Sequence, residues 1–273
     1  MSTPNAGCAQ TTKRREERPF AKRGKPLLSA FTTTSPATPM PPTILYEDNH
    51  LLAVCKQAGD IVQGDKTGDE PLVERLKHYL KEKYAKPGNV FLGVPHRLDR
   101  PVSGIVLFAR TSKALSRLGD MFRTGQVHKT YLAITCAPPP QPQGTLTHWL
   151  TRNEQQNKAY ASDRPRPGSK QAILRYRLLG QSERYSLLAI TLLTGRHHQI
   201  RCQLATLGCP IRGDLKYGAP RSLPDAGISL HAYAIQFSHP VTHQPLTLSA
   251  PLPNDHLWQA MAAFLPTEGL PTA

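Results

Sequence analysis

The sequence contains no apolar run long enough to cross a membrane, and no basic amphipathic helix suited to a membrane surface. Residues 1–20 also lack the apolar core region of a secretory signal peptide. These absences argue against membrane proteins and against secreted ones. We therefore expect a protein with no membrane partner.

Cysteine is scarce, odd in number and widely scattered, and no two cysteines form a C-x-x-C pair. The five are Cys8, Cys55, Cys136, Cys202 and Cys209. This pattern argues against a disulfide framework and a zinc ribbon, and it favours a reducing, cytoplasmic location. A metal site built from His197, His198 and the last two cysteines is also disfavoured, because adjacent histidines should point apart on a helix. We expect no bound metal.

Acidic residues are few relative to basic ones. The chain has 19 Asp and Glu against 34 Lys and Arg, which gives a formal net charge of +15 and a pI near 9.8. Such an excess predicts a polyanionic partner, above all a nucleic acid, because each neutralised phosphate releases counterions. Acids are also too sparse for the carboxylate cluster that a metal-dependent nuclease would need.

Composition divides the chain into a tail, one folded domain and a short end. Residues 1–42 contain seven prolines, seven cationic and two acidic residues and no hydrophobic period, so we predict a disordered basic tail. This tail is interpreted either as an arm that grasps RNA non-specifically or as a solubilising segment. Order is expected over residues 43–265, and residues 266–273 are expected to be flexible.

Hydrophobic patterning within residues 43–265 predicts strands and helices in irregular alternation. Strands are expected near 44–46, 51–54, 105–108, 127–135, 172–179, 185–193, 229–238 and 245–249, with an exposed basic hairpin or loop over 151–170. Helices are expected over 71–84, 112–122 with Ser112 as its cap, a short stretch after residue 198, and 255–264. Several hairpins and few crossovers favour an α+β domain on a mixed or antiparallel sheet.

The stretch from His96 to Gly104, which reads HRLDRPVSG, holds the densest group of chemically active side chains. Asp99 is flanked by Arg97 and Arg100, and the proline at 101 disfavours helix for the residue before it. Asp99 is thus expected on a rigid loop that enters a buried strand, with His96 structuring the loop. Two interpretations are open: a functional carboxylate, or an acid neutralised by neighbouring arginines.

Two further segments carry candidate functional residues. Arg201 is expected at the edge of a short helix's apolar stripe, where it could hold a carboxylate, although a phosphate-binding or solvent-facing arginine has the same signature. Arg196 precedes the first turn of that helix. Lys129 and Tyr131 lie two residues apart on one strand, so their side chains should share a face. The pair is interpreted either as a platform for a base and its phosphate or as a strand whose tyrosine completes the core.

Four blocks of this sequence, in this order, resemble the RluA family of RNA pseudouridine synthases. The blocks are ILYEDNHLLAVCKQAGDIVQGD (44–65), HRLDRPVSGIVLFARTSKAL (96–115), VHKTYLAI (127–134) and TGRHHQIRCQLATLGCPIRGDLKYG (194–218). The resemblance implies a single α+β catalytic domain, with helices flanking a bent mixed or antiparallel central sheet and an active-site cleft across it. It implies an isomerase that converts uridines of structured ribosomal or transfer RNA to pseudouridine.

The resemblance also assigns roles to residues. It implies that Asp99 is the catalytic acid, that Tyr131 stacks on the target base, and that Arg201 pairs with Asp99. Arg97 resembles the arginine that helps displace the target base, and we expect further RNA contacts from Arg100, Lys129 and Arg196. A monomer without a cofactor is expected. The alternative is a catalytically silent RNA-binding or RNA-chaperone protein that retains the fold.

Overall fold

The structure, a computed structural model, describes residues 42–65, 67–266 and 270. The predicted tail therefore lies outside the described residues except for Pro42, and the predicted flexible end lies outside them except for Pro266 and Leu270. The strands are β1 (Thr43–Glu47), β2 (Leu51–Lys56), β3 (Ser103–Ala109), β4 (His128–Thr135), β5 (Gln143–Asn153), β6 (Lys158–Ser162), β7 (Lys170–Gln181), β8 (Ser186–Leu192), β9 (Leu230–Ser238) and β10 (Pro245–Ser249). The α-helices are α1 (Leu72–Lys83), α2 (Ser112–Arg123), α3 (Gln199–Thr206) and α4 (His256–Met261).

These strands form one mixed sheet, in the order β1-β2-β3-β9-β4-β8-β7-β5-β6, with β10 paired to β9. The pairing of β3 with β9 is parallel, and the other pairings in this part of the chain are antiparallel. The α+β class expected from the sequence is confirmed. The predicted basic hairpin over 151–170 corresponds to the β5–β6 hairpin and the loop after it.

Strand β9 joins the two halves of the sheet. Along one edge it pairs with β4, and along the other its first residues pair with β3 and its later residues with β10. Gly104 lies at the contact with β3 and has a φ of +113°, and a Cβ there would overlap the backbone of Ala232 on β9. Glycine is required at this position because it tolerates both the positive φ and the close approach.

Helices pack on both faces of the sheet. Helices α1 and α3 bury their apolar sides on one face, which also carries Tyr131 of β4 and Tyr176 of β7. On the opposite face, α2 packs over β2 and β3, and α4 packs Trp258 and Met261 over β4 and β8. The first face carries Tyr131, which the family resemblance implies is catalytic, and is called the catalytic face; the second is called the back face.

Local signals predicted most of the elements, but strand β5 was not expected over residues 143–150, and the cap of α2 is shifted by one residue. Asp48 closes the β1–β2 turn, since its Oδ1 accepts hydrogen bonds from the His50 and Leu51 amides, each at 2.7 Å. Helix α2 is capped by Thr111, whose side chain accepts the Ala114 N–H at 3.1 Å, so the expected Ser112 cap is wrong by one residue. Within the described residues, no helix combines the length and the apolar character needed to span a bilayer.

Candidate active site

Asp99 lies in the loop that leads into β3, on the catalytic face. The Val102 amide donates to the Asp99 carbonyl at 3.0 Å, which closes a tight turn, and the preceding Leu98 is buried in the core. The Asp99 side chain is 29% exposed. The turn therefore presents a carboxylate to solvent from a backbone that is anchored on both sides.

His96 is one of these anchors. Its Nε2 accepts the Leu107 amide at 2.9 Å, and its ring stacks on Phe122 of α2 with centroids 4.5 Å apart. Burial, helped by the Lys129 charge, lowers the pKa of His96 to about 3. A neutral imidazole is needed here, because Nε2 must keep its lone pair to accept the amide proton. His96 thus structures the loop, as expected.

Lys56 is a second anchor, and sequence reasoning did not identify it. Its ammonium group, fully buried at the end of β2, donates to the carbonyls of Gln57 at 2.8 Å, Arg100 at 3.0 Å and Val102 at 2.6 Å. Two of these carbonyls belong to the turn that carries Asp99. Burial lowers the pKa of Lys56 to about 8, so the amine is still mainly charged at pH 7. Its three protons match the three carbonyls.

Arg201 contacts two carboxylates unequally. Its Nε and Nη2 donate to Asp214 at 2.7 and 2.9 Å in a bidentate pair, and the exposed fractions are 6% for the Arg201 side chain and 1% for that of Asp214. Its Nη1 reaches Asp99 Oδ2 at 3.4 Å. The structure thus brings Arg201 and Asp99 together, but the stronger partner of Arg201 is Asp214. Sequence reasoning missed Asp214, although it lies in the last of the four blocks.

His198 completes the group around Asp99. Its Nε2 lies 3.5 Å from Asp99 Oδ2 and 3.0 Å from Arg201 Nη1, and its Nδ1 lies 2.9 Å from the Tyr217 hydroxyl. The Tyr217 hydroxyl in turn accepts the Ala159 amide at 2.8 Å. Burial and the Arg201 charge lower the pKa of His198 to about 2, so the ring is neutral. A neutral imidazole beside a guanidinium leaves the positive charge of this group on Arg201 alone.

The backbone at His198 explains an error in the sequence analysis. His198 has a φ of +52° and precedes α3, so the two adjacent histidines do not follow helical geometry. The rings of His197 and His198 stack with centroids 3.8 Å apart, instead of pointing apart as expected. A positive φ at a residue other than glycine is uncommon and often marks a functional site. Only the sequence pattern of the whole block, not spacing, could have signalled His198.

Tyr131 lies on β4 in the core of the catalytic face, where it is mostly buried. Burial raises the pKa of its phenol, and the negative charge of Asp99 adds to that effect, so the hydroxyl stays protonated. Within the described part of the chain, no hydrogen bond is recorded for this hydroxyl. A buried ring close to Asp99 fits both interpretations given above, the base platform and the core residue.

The remaining candidates lie in different surroundings. Arg97 is exposed and makes no ion pair with any described residue, whereas Arg100 pairs with Asp69. Arg196 is exposed, and its Nε donates to the Gln171 carbonyl at 3.0 Å. Lys129 places its Nζ 5.5 Å from the centre of the Phe122 ring. Arg97 thus keeps its full charge available, while the charge of Arg100 is partly neutralised.

Two carboxylates share Arg201 at the centre of the site. Asp99 and Asp214 both lie within 3.4 Å of its guanidinium group, and the neutral His198 adds no positive charge there. The bidentate pair with Asp214 uses most of the hydrogen bonds of Arg201, which leaves Asp99 held in place but weakly bonded. Such a carboxylate can act as a nucleophile or a base. Among the described residues, no group of three or more His, Cys, Asp or Glu side chains could hold a metal ion.

The chain is similar in sequence and fold to several known proteins. A family model described as RNA pseudouridylate synthase matches residues 50–206. Ribosomal large subunit pseudouridine synthase D of Xylella fastidiosa is 35% identical over 240 residues, covering 82% of this chain and 70% of that protein. Ribosomal large subunit pseudouridine synthase C of Vibrio cholerae is 34% identical over 224 residues, covering 80% and 68%. The solved structure of human RNA pseudouridylate synthase domain containing 4 has a TM-score of 0.66 at 24% identity, covering 81% of this chain and 92% of that one, which shows a shared fold.

Proposed function

The chain belongs to the RluA family of RNA pseudouridine synthases, and from this premise we propose that Asp99 converts a specific uridine of ribosomal RNA to pseudouridine. Enzymes of this kind are isomerases that act on RNA. Two relatives are named for the large ribosomal subunit, which supports ribosomal RNA over transfer RNA as the substrate. The basic charge of the chain suits either RNA.

One observation carries the assignment to Asp99. Asp99 is a partly exposed carboxylate on an anchored turn. The buried Arg201 approaches it at 3.4 Å but makes its shorter hydrogen bonds to Asp214. Neutralisation by the neighbouring Arg97 and Arg100, the alternative left open by the sequence, predicts an ion pair between one of them and Asp99. Arg97 makes no ion pair with any described residue, and Arg100 pairs with Asp69 instead. The geometry thus favours a carboxylate kept free to react.

The proposed reaction breaks the N1–C1′ bond of the uridine, turns the uracil and rejoins it to the sugar through C5; the C5 proton is released and N1 takes up a proton from water. The ionised Asp99 carboxylate starts it, by attack on C1′ or by removal of a sugar proton; both routes need the charged form. Arg201 supports that form and aims the carboxylate. The net change is redox-neutral and transfers no group to another molecule, so the proposal needs no cofactor.

The other site residues are proposed to hold the RNA. Bringing the uridine out of a helix costs a few kcal/mol of stacking and pairing. Exposed Arg97, which has no described ion-pair partner, fills the gap left by the displaced base, and Tyr131 offers a ring on which the base stacks. Phosphates are contacted by Lys129 and Arg196. Arg100 contacts them more weakly, because it also pairs with Asp69. We further propose a monomer that works in the cytoplasm, with residues 43–265 as the catalytic domain.

The test is release of tritium from RNA that carries 5-tritiated uridine. The unchanged protein should release tritium from a large-subunit ribosomal transcript, and Asp99→Asn should release none while binding the transcript about equally well. Asp120→Asn, which changes an exposed acid on α2, is the matched control and should remain active. Binding without release by the unchanged protein would instead favour the alternative, a catalytically silent RNA-binding protein. Running a transfer RNA in parallel tests the choice of substrate.

A further inference from the structure

On the back face of the sheet, the area beside α4 over strands β5 and β7 is open. Side chains alternate between faces along a strand, so residues next to the buried Leu174, Tyr176 and Ile190 project to the back. Helix α4 covers Leu132 and Leu187 there but does not extend across β7. The uncovered part forms a groove of about 500 Å³.

This groove, called the back groove, is lined by polar and basic side chains together with Gly144, Tyr176, Ala189 and Leu270. Its polar side chains come from four neighbouring strands: Thr130, Gln143, Thr145, Arg175, Arg177 and Thr191. Arg175 lies directly opposite Thr145 on one side and Thr191 on the other, and Thr191 lies opposite Thr130. One row across the sheet therefore holds a guanidinium and three hydroxyls. Arg177 lies two residues further along the same strand, about 7 Å away in the backbone.

The strands that form the groove carry charge of only one sign. Strands β4 to β10 contain no Asp or Glu, and both groove arginines are exposed. Neither arginine makes an ion pair or a side-chain hydrogen bond with any described residue. An antiparallel sheet commonly has one solvated face, which explains the hydroxyls. A solvated face does not explain two unpaired guanidinium groups on a set of seven strands that carry no acid, because an ordinary solvated surface mixes charges of both signs.

We propose that the back groove binds the sugar-phosphate backbone of a second segment of the substrate RNA. This inference rests on the proposed function for the identity of the RNA. Guanidiniums and hydroxyls arranged in a row are the donors that commonly contact phosphate oxygens. Two arginines on alternate positions of one strand suit successive phosphates.

The opposite positions of the two faces decide which RNA uses the back groove. The sheet separates it from Asp99, so the segment bound there is not the one that carries the target uridine. A short stem-loop that fills the catalytic face does not reach the groove, whereas a long folded RNA passes around the edge of the sheet and does. The groove thus serves to recognise large substrates, not to perform the reaction.

The experiment compares a short stem-loop containing the target uridine with a large-subunit ribosomal transcript. The variant is Arg175→Gln/Arg177→Gln, and the control is Lys113→Gln/Arg123→Gln, which removes the same charge from two exposed positions on α2. The slope of log affinity against log salt is measured for each RNA, together with tritium release and melting temperature. The groove variant should lower the slope for the transcript by about 2, with a loss of affinity on the order of tenfold.

Further results are expected for the stem-loop, for the control and for a conservative variant. Affinity and tritium release with the stem-loop should be unchanged, the control should keep the slope, and Arg175→Lys/Arg177→Lys should keep most of it. An unchanged slope for the transcript, or an equal loss with both RNAs, would overturn the inference. A lower melting temperature with unchanged RNA affinity would also overturn it, and would give the groove a structural role in packing Leu270, which lies at its edge. Failure of the proposed function is a separate result: no tritium release from either RNA by the unchanged protein.

Discussion

Asp214→Asn is predicted to destabilise the protein far more than Asp99→Asn does. The substitution removes the charge of a carboxylate that is 1% exposed and leaves the buried Arg201 guanidinium with Asp99 at 3.4 Å as its nearest acid. Breaking a buried ion pair from one side costs about 3–5 kcal/mol. For a domain of this size, that corresponds to a fall in Tm of roughly 10 °C. Asp99 is 29% exposed and its contact is long, so its loss should cost about 1 kcal/mol or less.

These losses in the free energy of unfolding are measured by urea denaturation. The variants are Asp214→Asn, Asp99→Asn, Arg201→Met and the double variant Arg201→Met/Asp214→Asn. The double variant should recover part of the loss, because it leaves no unpaired charge in the core. Tritium release by Asp214→Asn should also fall, since the freed guanidinium can now bind Asp99 tightly. Equal destabilisation by Asp214→Asn and Asp99→Asn would refute the assignment of Asp214 as the main partner of Arg201.

Three other predictions concern the supports of the site and the sheet that carries it. Gly104→Ala should cost more than about 2 kcal/mol in urea unfolding, since the new Cβ meets the β9 backbone, whereas Gly59→Ala, with a similar positive φ but open space, should cost about 1 kcal/mol; equal costs would contradict the close approach. Lys56→Met should cost about 3 kcal/mol or more and reduce tritium release, because three backbone carbonyls lose their buried donor; a fully active variant would remove Lys56 from its anchoring role. Burial alone would raise the pKa of Glu47, but bonds from Lys83, Tyr84 and Tyr79 outweigh it and lower the pKa. The ionised form is thus favoured in the fold, and Glu47→Gln should destabilise at pH 7 by an amount that shrinks as pH falls through the Glu47 pKa; a difference independent of pH would contradict this.

Local sequence signals predicted most elements because each is set by nearby residues. The apolar face of α1 and the alternation in β7 need no information from elsewhere in the chain. The pairing of β3 with β9 could not be predicted in this way, because Gly104 and Ala232 are far apart in sequence. The hydroxyl at Thr111 caps α2 in place of its neighbour because Thr111 has the extended backbone of a cap.

The candidate site was predicted only in part for the same reason. Asp99 and Arg201 were expected to meet, and they do, at 3.4 Å. The bidentate pair with Asp214 was missed because a lone acid after a turn carries no signal until α3 is seen to place Arg201 against it. His198 was missed because its left-handed backbone is invisible to spacing rules. The back groove depends on four strands lying side by side, which no single stretch reveals.

The Lys56 ammonium group donates hydrogen bonds to backbone oxygens of the turn that carries Asp99, so this support does not depend on which side chains the turn carries. A carbonyl remains when the residue at position 100 or 102 is exchanged, and the shape of the turn should survive such exchanges. The side chains proposed to contact RNA beside Asp99 can therefore change over evolution, or by design, without rebuilding the support beneath them. In this sense one buried lysine separates the geometry of the proposed reaction from the choice of substrate.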